Sequence, residues 1–97
     1  MSLFTRTPAE PGHFAVRLLR AGDGQPIGVR LEPVNSWLAT IGGRTAVTPF
    51  GAQWRATVQE PDGRVQRPDG SYSPCVETWF VELRQIWQGA LRAEVAL

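Results

Sequence analysis

SPCVETWFVELRQIWQGAL, at residues 73–91, is the stretch of sequence that decides the fold. At 100° per residue its large apolar side chains fall on one stripe, which predicts an amphipathic helix. Ser73 as the cap, Pro74 at the first helical position and Glu77 in the first turn are typical of a helix start. The predicted stripe consists of Val76, Trp79, Phe80, Leu83, Ile86, Trp87, Ala90 and Leu91. Burying the five largest of these side chains would contribute about 1.5 to 3 kcal/mol each, so we expect this helix to supply much of the core.

The composition indicates a single globular domain. The chain has 97 residues, of which 42% are apolar and 20% charged, and its formal net charge is +1. A charge this small argues against bulk electrostatic binding to nucleic acid or to an anionic membrane. No apolar run approaches the roughly 18 residues of a membrane span, and the first residues lack the basic and apolar regions of a signal peptide. We therefore expect a cytoplasmic protein that does not bind membranes.

The first residues of the chain differ in pattern from the rest. Residues 1–12 contain Pro8 and Pro11 and show neither a helical nor an alternating pattern. We interpret them as an N-terminal arm in front of one α+β domain at residues 13–97. Leu3 and Phe4 are expected to anchor this arm, either on the chain's own core or on a neighbouring protein.

Apolar and polar residues alternate in the first half of the domain, as expected of half-buried strands. Residues 13–32 predict a β-hairpin with a glycine-rich turn. In residues 34–41 the apolar side chains are spaced i, i+3, i+4, i+7 and are followed by two glycines, which favours a short helix. A strand at 36–41 is the alternative.

The second half of the domain predicts two strands, at 44–48 and 53–59, before the helix. The side chains expected to face inward from the later one are Trp54, Ala56 and Val58. The sequence Pro-Asp-Gly then occurs twice, seven residues apart, and predicts two turns around a short strand at 64–66. Residues 90–97 alternate again, so they form either a last strand or more helix. Together these patterns predict an α+β fold: a small antiparallel β-sheet, made of a hairpin plus a meander, packed by the C-terminal amphipathic helix.

The chain offers few groups for catalysis. A dyad of His13 and Cys75 is conceivable, because a thiol near a helix N-terminus has a lowered pKa. However, no other residue clearly supplies an orienting group or an oxyanion site. Zinc needs three or four ligands at recognisable spacing, and the sequence has no such cluster. We therefore expect no enzymatic activity, no catalytic residue, no metal and no cofactor.

Arginine side chains mark the predicted outward face of the sheet. Arg17, Arg30 and Arg55 each alternate with apolar, inward positions, so they would form a basic stripe if their strands are neighbours. Such a stripe can hold phosphates or an acidic protein surface. The alternative is that these arginines pair with acids such as Glu32 across the strands.

Four tryptophans are many for a chain of this length. Trp54 and Trp79 occupy predicted inward positions. Trp37 and Trp87 either close the same core or lie partly exposed, where aromatic side chains are enriched in interface hot spots.

These observations favour a non-enzymatic, protein-binding or structural subunit of a larger assembly, such as a virion or tail accessory protein or a small protein inhibitor. Its partner would be another protein or copies of itself, in the cytoplasm or in a virion. The candidate partner-binding residues are Leu3, Phe4, Arg17, Arg30, Arg55, Trp37 and Trp87. The alternative is a nucleic-acid-binding module that uses the arginine stripe, which predicts an oligonucleotide affinity that falls steeply with salt.

Overall fold

In residues 5–40 and 43–95, which the computed structural model describes, nine strands are followed by one helix. In chain order these are β1 (Thr5–Pro8), β2 (Phe14–Arg20), β3 (Pro26–Pro33), β4 (Ser36–Thr40), β5 (Gly43–Thr48), β6 (Gly51–Trp54), β7 (Val58–Gln59), β8 (Val65–Gln66), β9 (Tyr72–Ser73) and α1 (Val76–Val95). The strands form a four-stranded sheet, in the order β1-β4-β5-β6, and a five-stranded sheet, in the order β3-β2-β7-β8-β9. All pairings are antiparallel. The α+β class is therefore confirmed, and its strands divide between two sheets.

Three hairpin turns of the five-stranded sheet share one structure, built around an Asp-Gly pair. They lie at residues 21–25, 60–64 and 67–71, and in each the glycine N–H donates to the carbonyl oxygen three residues earlier, over 2.9, 2.9 and 3.0 Å. In each, the aspartate Oδ1 accepts a hydrogen bond from the backbone N–H two residues later. The glycine has a φ of 91 or 92°, which an L side chain rarely adopts. The predicted hairpin at 13–32 and both Pro-Asp-Gly turns are confirmed.

The helix predicted for residues 34–41 is wrong, and the alternative strand is correct. Ser36–Thr40 is β4, which pairs with β1 on one side and with β5 on the other. The pairing with β1 places residues 5–8 of the predicted arm at the edge of the four-stranded sheet. Two strands supply hydrogen bonds along β4, and this tertiary pairing outweighs a weak local helical spacing. Ile41 lies outside the described residues.

The single strand predicted for residues 53–59 is also wrong. Arg55 has a φ of 51°, the only positive φ of a non-glycine residue in the described chain. At this break the chain passes from β6 in the four-stranded sheet to β7 in the five-stranded sheet. Val58 is buried as predicted, whereas Trp54 is 52% exposed. It alternates along β6 with Gln53, whose side chain reaches the buried Glu32, so Trp54 faces outward.

The molecule has three layers: the four-stranded sheet, the five-stranded sheet and α1. Ala15, Val34 and Ala46 form the small core between the two sheets. Val16, Val65 and Trp79 form the core between the five-stranded sheet and the helix. Because Ala15 and Val16 are consecutive on β2, their side chains point to opposite faces, and the five-stranded sheet is the middle layer.

The helix begins two residues later than predicted, at Val76 instead of Pro74. The first intrahelical hydrogen bond runs from Trp79 N–H to Cys75 O, over 3.1 Å, so Cys75 is the N-cap residue. Ser73 instead belongs to β9. Glu77 lies in the first turn as predicted. The helix continues to Val95, so of the two alternatives for residues 90–97, more helix is correct for 90–95, and residues 96–97 lie outside the described part.

The predicted apolar stripe of α1 is covered only in part. Trp79 is buried, and Phe80 and Leu83 pack partly buried against the five-stranded sheet. Ile86 is 67% exposed. Within the described residues, no helix combines the length and the apolar character that crossing a membrane requires.

Candidate functional site

Two of the three arginines of the predicted stripe are neighbours, but both bind a buried carboxylate. Arg17 on β2 lies directly opposite Arg30 on β3. Glu32, also on β3, is fully buried at 0% exposure. Arg17 Nε and Arg30 Nε each donate a hydrogen bond to Glu32 Oε2 over 2.9 Å. The structure therefore shows the pairing of arginine with acid across the strands, and these guanidiniums are only partly available to a partner.

The same carboxylate connects the two sheets. Gln53 Nε2 on β6 donates to Glu32 Oε1, and the Thr48 hydroxyl on β5, which donates to Gly51 O over 3.0 Å, lies 3.5 Å from the same carboxylate oxygen. The hydrogen bond from Arg17, the largest effect, together with those from Arg30 and Gln53, lowers the pKa of Glu32 to about 2, although its burial acts in the opposite direction. Glu32 is therefore ionised at neutral pH, and its hydrogen bonds fix how the four-stranded sheet packs on the five-stranded sheet.

Arg55 lies elsewhere, at the break between β6 and β7. Its backbone N–H donates to Arg44 O over 3.2 Å, which holds the break against the start of β5. The structure therefore does not bring Arg55 together with Arg17 and Arg30. It brings Arg55 to a cleft at the other end of the space between the sheets.

This inter-sheet cleft has a volume of about 430 Å³. Its walls include Trp37, Arg44, Arg55, Gln66, Arg67 and Pro68. The guanidinium carbon of Arg44 lies 4.1 Å from the centre of the Trp37 ring, and Arg44 Nη2 donates to Gln66 Oε1 over 3.3 Å. In the part of the chain that the structure describes, neither Arg44 nor Arg55 forms an ion pair with an acid. Sequence patterns missed Arg44, because they predicted a strand at 44–48 without indicating which of its faces meets the other sheet.

The two candidate tryptophans have different surroundings. Trp37 faces inward from β4, and the His13 ring meets it edge-on with 6.0 Å between ring centres. Trp87 is partly buried on α1, and its Nε1 lies close to Gly24 in the turn between β2 and β3. Trp37 therefore belongs to the cleft, whereas Trp87 does not.

Leu3 and Phe4, the predicted anchors of the arm, lie outside the described residues. Their partner-binding role stays a prediction.

The outer edge of β3 is a candidate surface that the sequence patterns missed. Within the described residues, no strand pairs with this edge. Val34 N–H donates to His13 O, and Val16 N–H points away from β3 to Thr57 O. Because backbone groups alternate in an antiparallel pair, Val29 and Leu31 direct their N–H and C=O groups to the free edge.

Apolar side chains accompany this edge. Ile27 is 61% exposed and Leu31 is 40% exposed. Leu31 lies on the same face of the sheet as Val29, which is the face that carries α1, and Ile27 is the extra residue where the register between β2 and β3 shifts. The helix covers Val29 but leaves the other two accessible.

The conceivable catalytic dyad is not formed. His13 Nε2 lies 3.1 Å from Glu60 Oε2, and its Nδ1 lies 3.0 Å from Glu10 O. Cys75 Sγ instead contacts Thr78 Oγ1 over 3.2 Å. Among residues 5–40 and 43–95, no three His, Cys, Asp or Glu side chains gather as metal ligands would.

Comparison with protein-family models, with curated proteins and with solved structures finds no match to this chain.

Proposed function

We propose that this protein is a non-enzymatic binding subunit of a larger assembly, and that β3 pairs with an extended strand of another protein or of a second copy. The open outer edge of β3 carries this proposal. Pairing with such an edge is a recurrent mode of protein recognition, because backbone hydrogen bonds provide affinity and neighbouring side chains provide specificity.

The length of β3 supports this function. With eight residues it is the longest strand of the described chain, although it lies at a sheet edge. Proteins usually keep edge strands short, or interrupt them with proline, charge or a bulge. Pro26 and Pro33 stand at the two ends of β3, and the register shift that leaves Ile27 unpaired lies next to Pro26. Between Gly28 and Pro33 the pairing with β2 is regular, and this part of the edge includes the unpaired groups of Val29 and Leu31.

The exposed apolar side chains of β3 also support strand pairing at its edge. A strand added beside β3 would extend the five-stranded sheet and cover Ile27 and Leu31. Exposed apolar side chains beside an open edge are typical of an interaction surface or of an aggregation-prone one.

The assembly that we propose is a virion or a cytoplasmic complex, in which this chain acts as an accessory subunit or as a small inhibitor. Its small size suits such a role. The predicted arm would supply a second contact through Leu3 and Phe4.

Two edge variants and a matched control test the proposal. Leu31→Pro removes an outward N–H without removing a hydrogen bond between β2 and β3, and Ile27→Lys adds a charge beside the edge. Val81→Lys changes an apolar side chain on α1 that is also exposed. Sedimentation velocity measures self-association, and capture of the tagged protein from its native source, with and without nuclease, recovers a partner.

We expect a stoichiometric complex that survives nuclease, is lost with Leu31→Pro and Ile27→Lys, and persists with Val81→Lys. A complex that both edge variants retain would contradict the proposal. So would a protein that stays monomeric and captures no partner.

Nucleic acid is the second candidate partner, because Arg44 and Arg55 line an open cleft without acidic partners among the described residues. Two phosphate contacts predict that oligonucleotide affinity falls about tenfold between about 50 and about 200 mM salt. This candidate predicts that nuclease abolishes capture.

A further inference from the structure

The inter-sheet cleft contains more arginine side chains than acidic side chains that pair with them among the described residues. Arg44, Arg55 and Arg67 all line it. Arg67 Nη2 donates to Glu82 Oε2 on α1 and to the Ser73 hydroxyl, so its charge is matched. Arg44 and Arg55 have no acidic partner among the described residues. The cleft therefore presents two guanidiniums whose charge a ligand can match.

Arg55, which supplies one of these two guanidiniums, has a strained backbone. A φ of 51° costs an L residue about 1 to 2 kcal/mol relative to the right-handed region. Glycine holds each of the other positive φ angles in the described chain. A strained residue that persists in a binding cleft points to a role for its side chain.

Arg44 is held in place from two sides. Its guanidinium stacks over Trp37 and donates to Gln66. An ordered guanidinium loses little side-chain freedom when it binds an oxyanion. Since Arg44 covers one face of Trp37 and His13 meets the ring edge-on, the cleft favours a compact anion over a stacked base.

From this geometry we infer that the cleft binds a phosphate monoester. At pH 7 such a group carries a charge of about −1.5 to −2 on three acceptor oxygens, which matches the two unpaired guanidiniums. A phosphodiester or a single carboxylate carries one negative charge and would leave one guanidinium unmatched. The inference is independent of pairing at β3, because the cleft and that edge share no residue.

Chemical-shift titration with three probes tests the inference: inorganic phosphate, a phosphoserine peptide, and the same peptide with serine. We expect inorganic phosphate and the phosphoserine peptide to bind, and the serine peptide not to bind. Arg44→Gln and Arg55→Gln should each raise Kd about tenfold, because each removes one charge-assisted fork. Arg84→Gln is the matched control, because Arg84 lies 5.9 Å over the Phe80 ring, on α1 outside the cleft.

Arg55→Gly separates a loss of phosphate binding from a loss of folding. Glycine adopts this φ without strain, so the variant should fold at least as well as the natural chain and still lose affinity. An unchanged Kd for Arg44→Gln and Arg55→Gly would overturn the inference.

Two further probes separate the monoester from other anions. An oligonucleotide without a terminal phosphate contains only diesters, and a peptide with glutamate in place of phosphoserine contains only a carboxylate. Equal or tighter binding of either probe would overturn the inference and, for the oligonucleotide, would favour nucleic-acid recognition.

Discussion

Glu32 is the residue that joins most of the structure at one point. It lies on β3, accepts hydrogen bonds from two arginines of its own sheet, and accepts another from Gln53 of the facing sheet. A buried carboxylate is tolerated only when its oxygens are fully bonded. The packing of the two sheets therefore depends on its charge.

Replacing this carboxylate by an amide should destabilise the protein. Glu32→Gln leaves Arg17 and Arg30 opposite one another without a counter-charge, and we expect a loss of about 2 to 4 kcal/mol in the free energy of unfolding. Urea denaturation at pH 7 measures this loss. Glu10→Gln, the same change at an exposed glutamate, should stay within about 0.5 kcal/mol. Equal effects of the two changes would contradict the role given to Glu32.

The same residue predicts how stability depends on pH. The folded pKa of Glu32 is lowered to about 2 from an ordinary value of 4.5. The folded state thus binds fewer protons than the unfolded state, and stability is lost as the pH falls from about 5 towards 2. Asp62, Asp69 and Glu77 also have lowered pKa values and add to this loss. Denaturation at several pH values should therefore show a shallower acid dependence for Glu32→Gln than for the natural chain.

Arg55 should lower the stability of the free protein through its backbone while its side chain contributes to anion binding. Arg55→Gly removes the backbone strain, and we expect the free energy of unfolding to rise by up to about 1 kcal/mol. Thermal unfolding measures this change. A loss of stability would show that the side chain has a structural role, which would remove one support of the proposed anion site.

At the scale of single residues, the sequence could suggest Glu32 as a partner of Arg17 and Arg30, but it could not show that Glu32 is buried. Alternation along β2 and β3 places these residues on one face, and that face was expected to meet solvent. A second sheet covers it instead. The local pattern contains no signal for a layer supplied by β4, β5 and β6.

At the scale of elements, the turns are the most predictable parts. The three Asp-Gly turns follow from local chemistry, because the aspartate accepts a backbone N–H and glycine supplies the positive φ. The division of residues 53–59 was not predictable, because Trp54, Ala56 and Val58 alternate as one strand does. The chain changes sheets at Arg55, and local alternation carries no signal for such a change.

Glycine at these turns should be required. Gly63→Ala places a side chain at a φ of 92° and should cost about 1 to 2 kcal/mol. Gly22→Ala is the control, because Gly22 has no positive φ and open space around its Cα. Gly22→Ala should leave the free energy of unfolding unchanged. Guanidinium denaturation of both variants measures these changes in the free energy of unfolding. Equal losses for Gly63→Ala and Gly22→Ala would show that the positive φ is not the cause.

At the scale of the whole molecule, the chain is more extended than its length requires. Its radius of gyration is 15.3 Å, and its extents are 53 × 30 × 24 Å. A compact domain of this length has a radius of gyration of about 12.5 Å. Two small cores in three layers explain the difference, and they leave an open edge, exposed apolar side chains and a cleft. These features were not visible in a sequence whose composition is that of an ordinary globular domain.

Backbone hydrogen exchange at Val29 and Leu31 tests the central claim most directly. Their N–H groups point to the free edge of β3, whereas the alternation places that of Arg30 in a hydrogen bond to β2. We expect Val29 and Leu31 to exchange fast in the dilute free protein and slowly in the assembled complex, with Arg30 protected in both. The same fast exchange at Val29 and Leu31 in the complex would show that the partner binds elsewhere and would contradict the account.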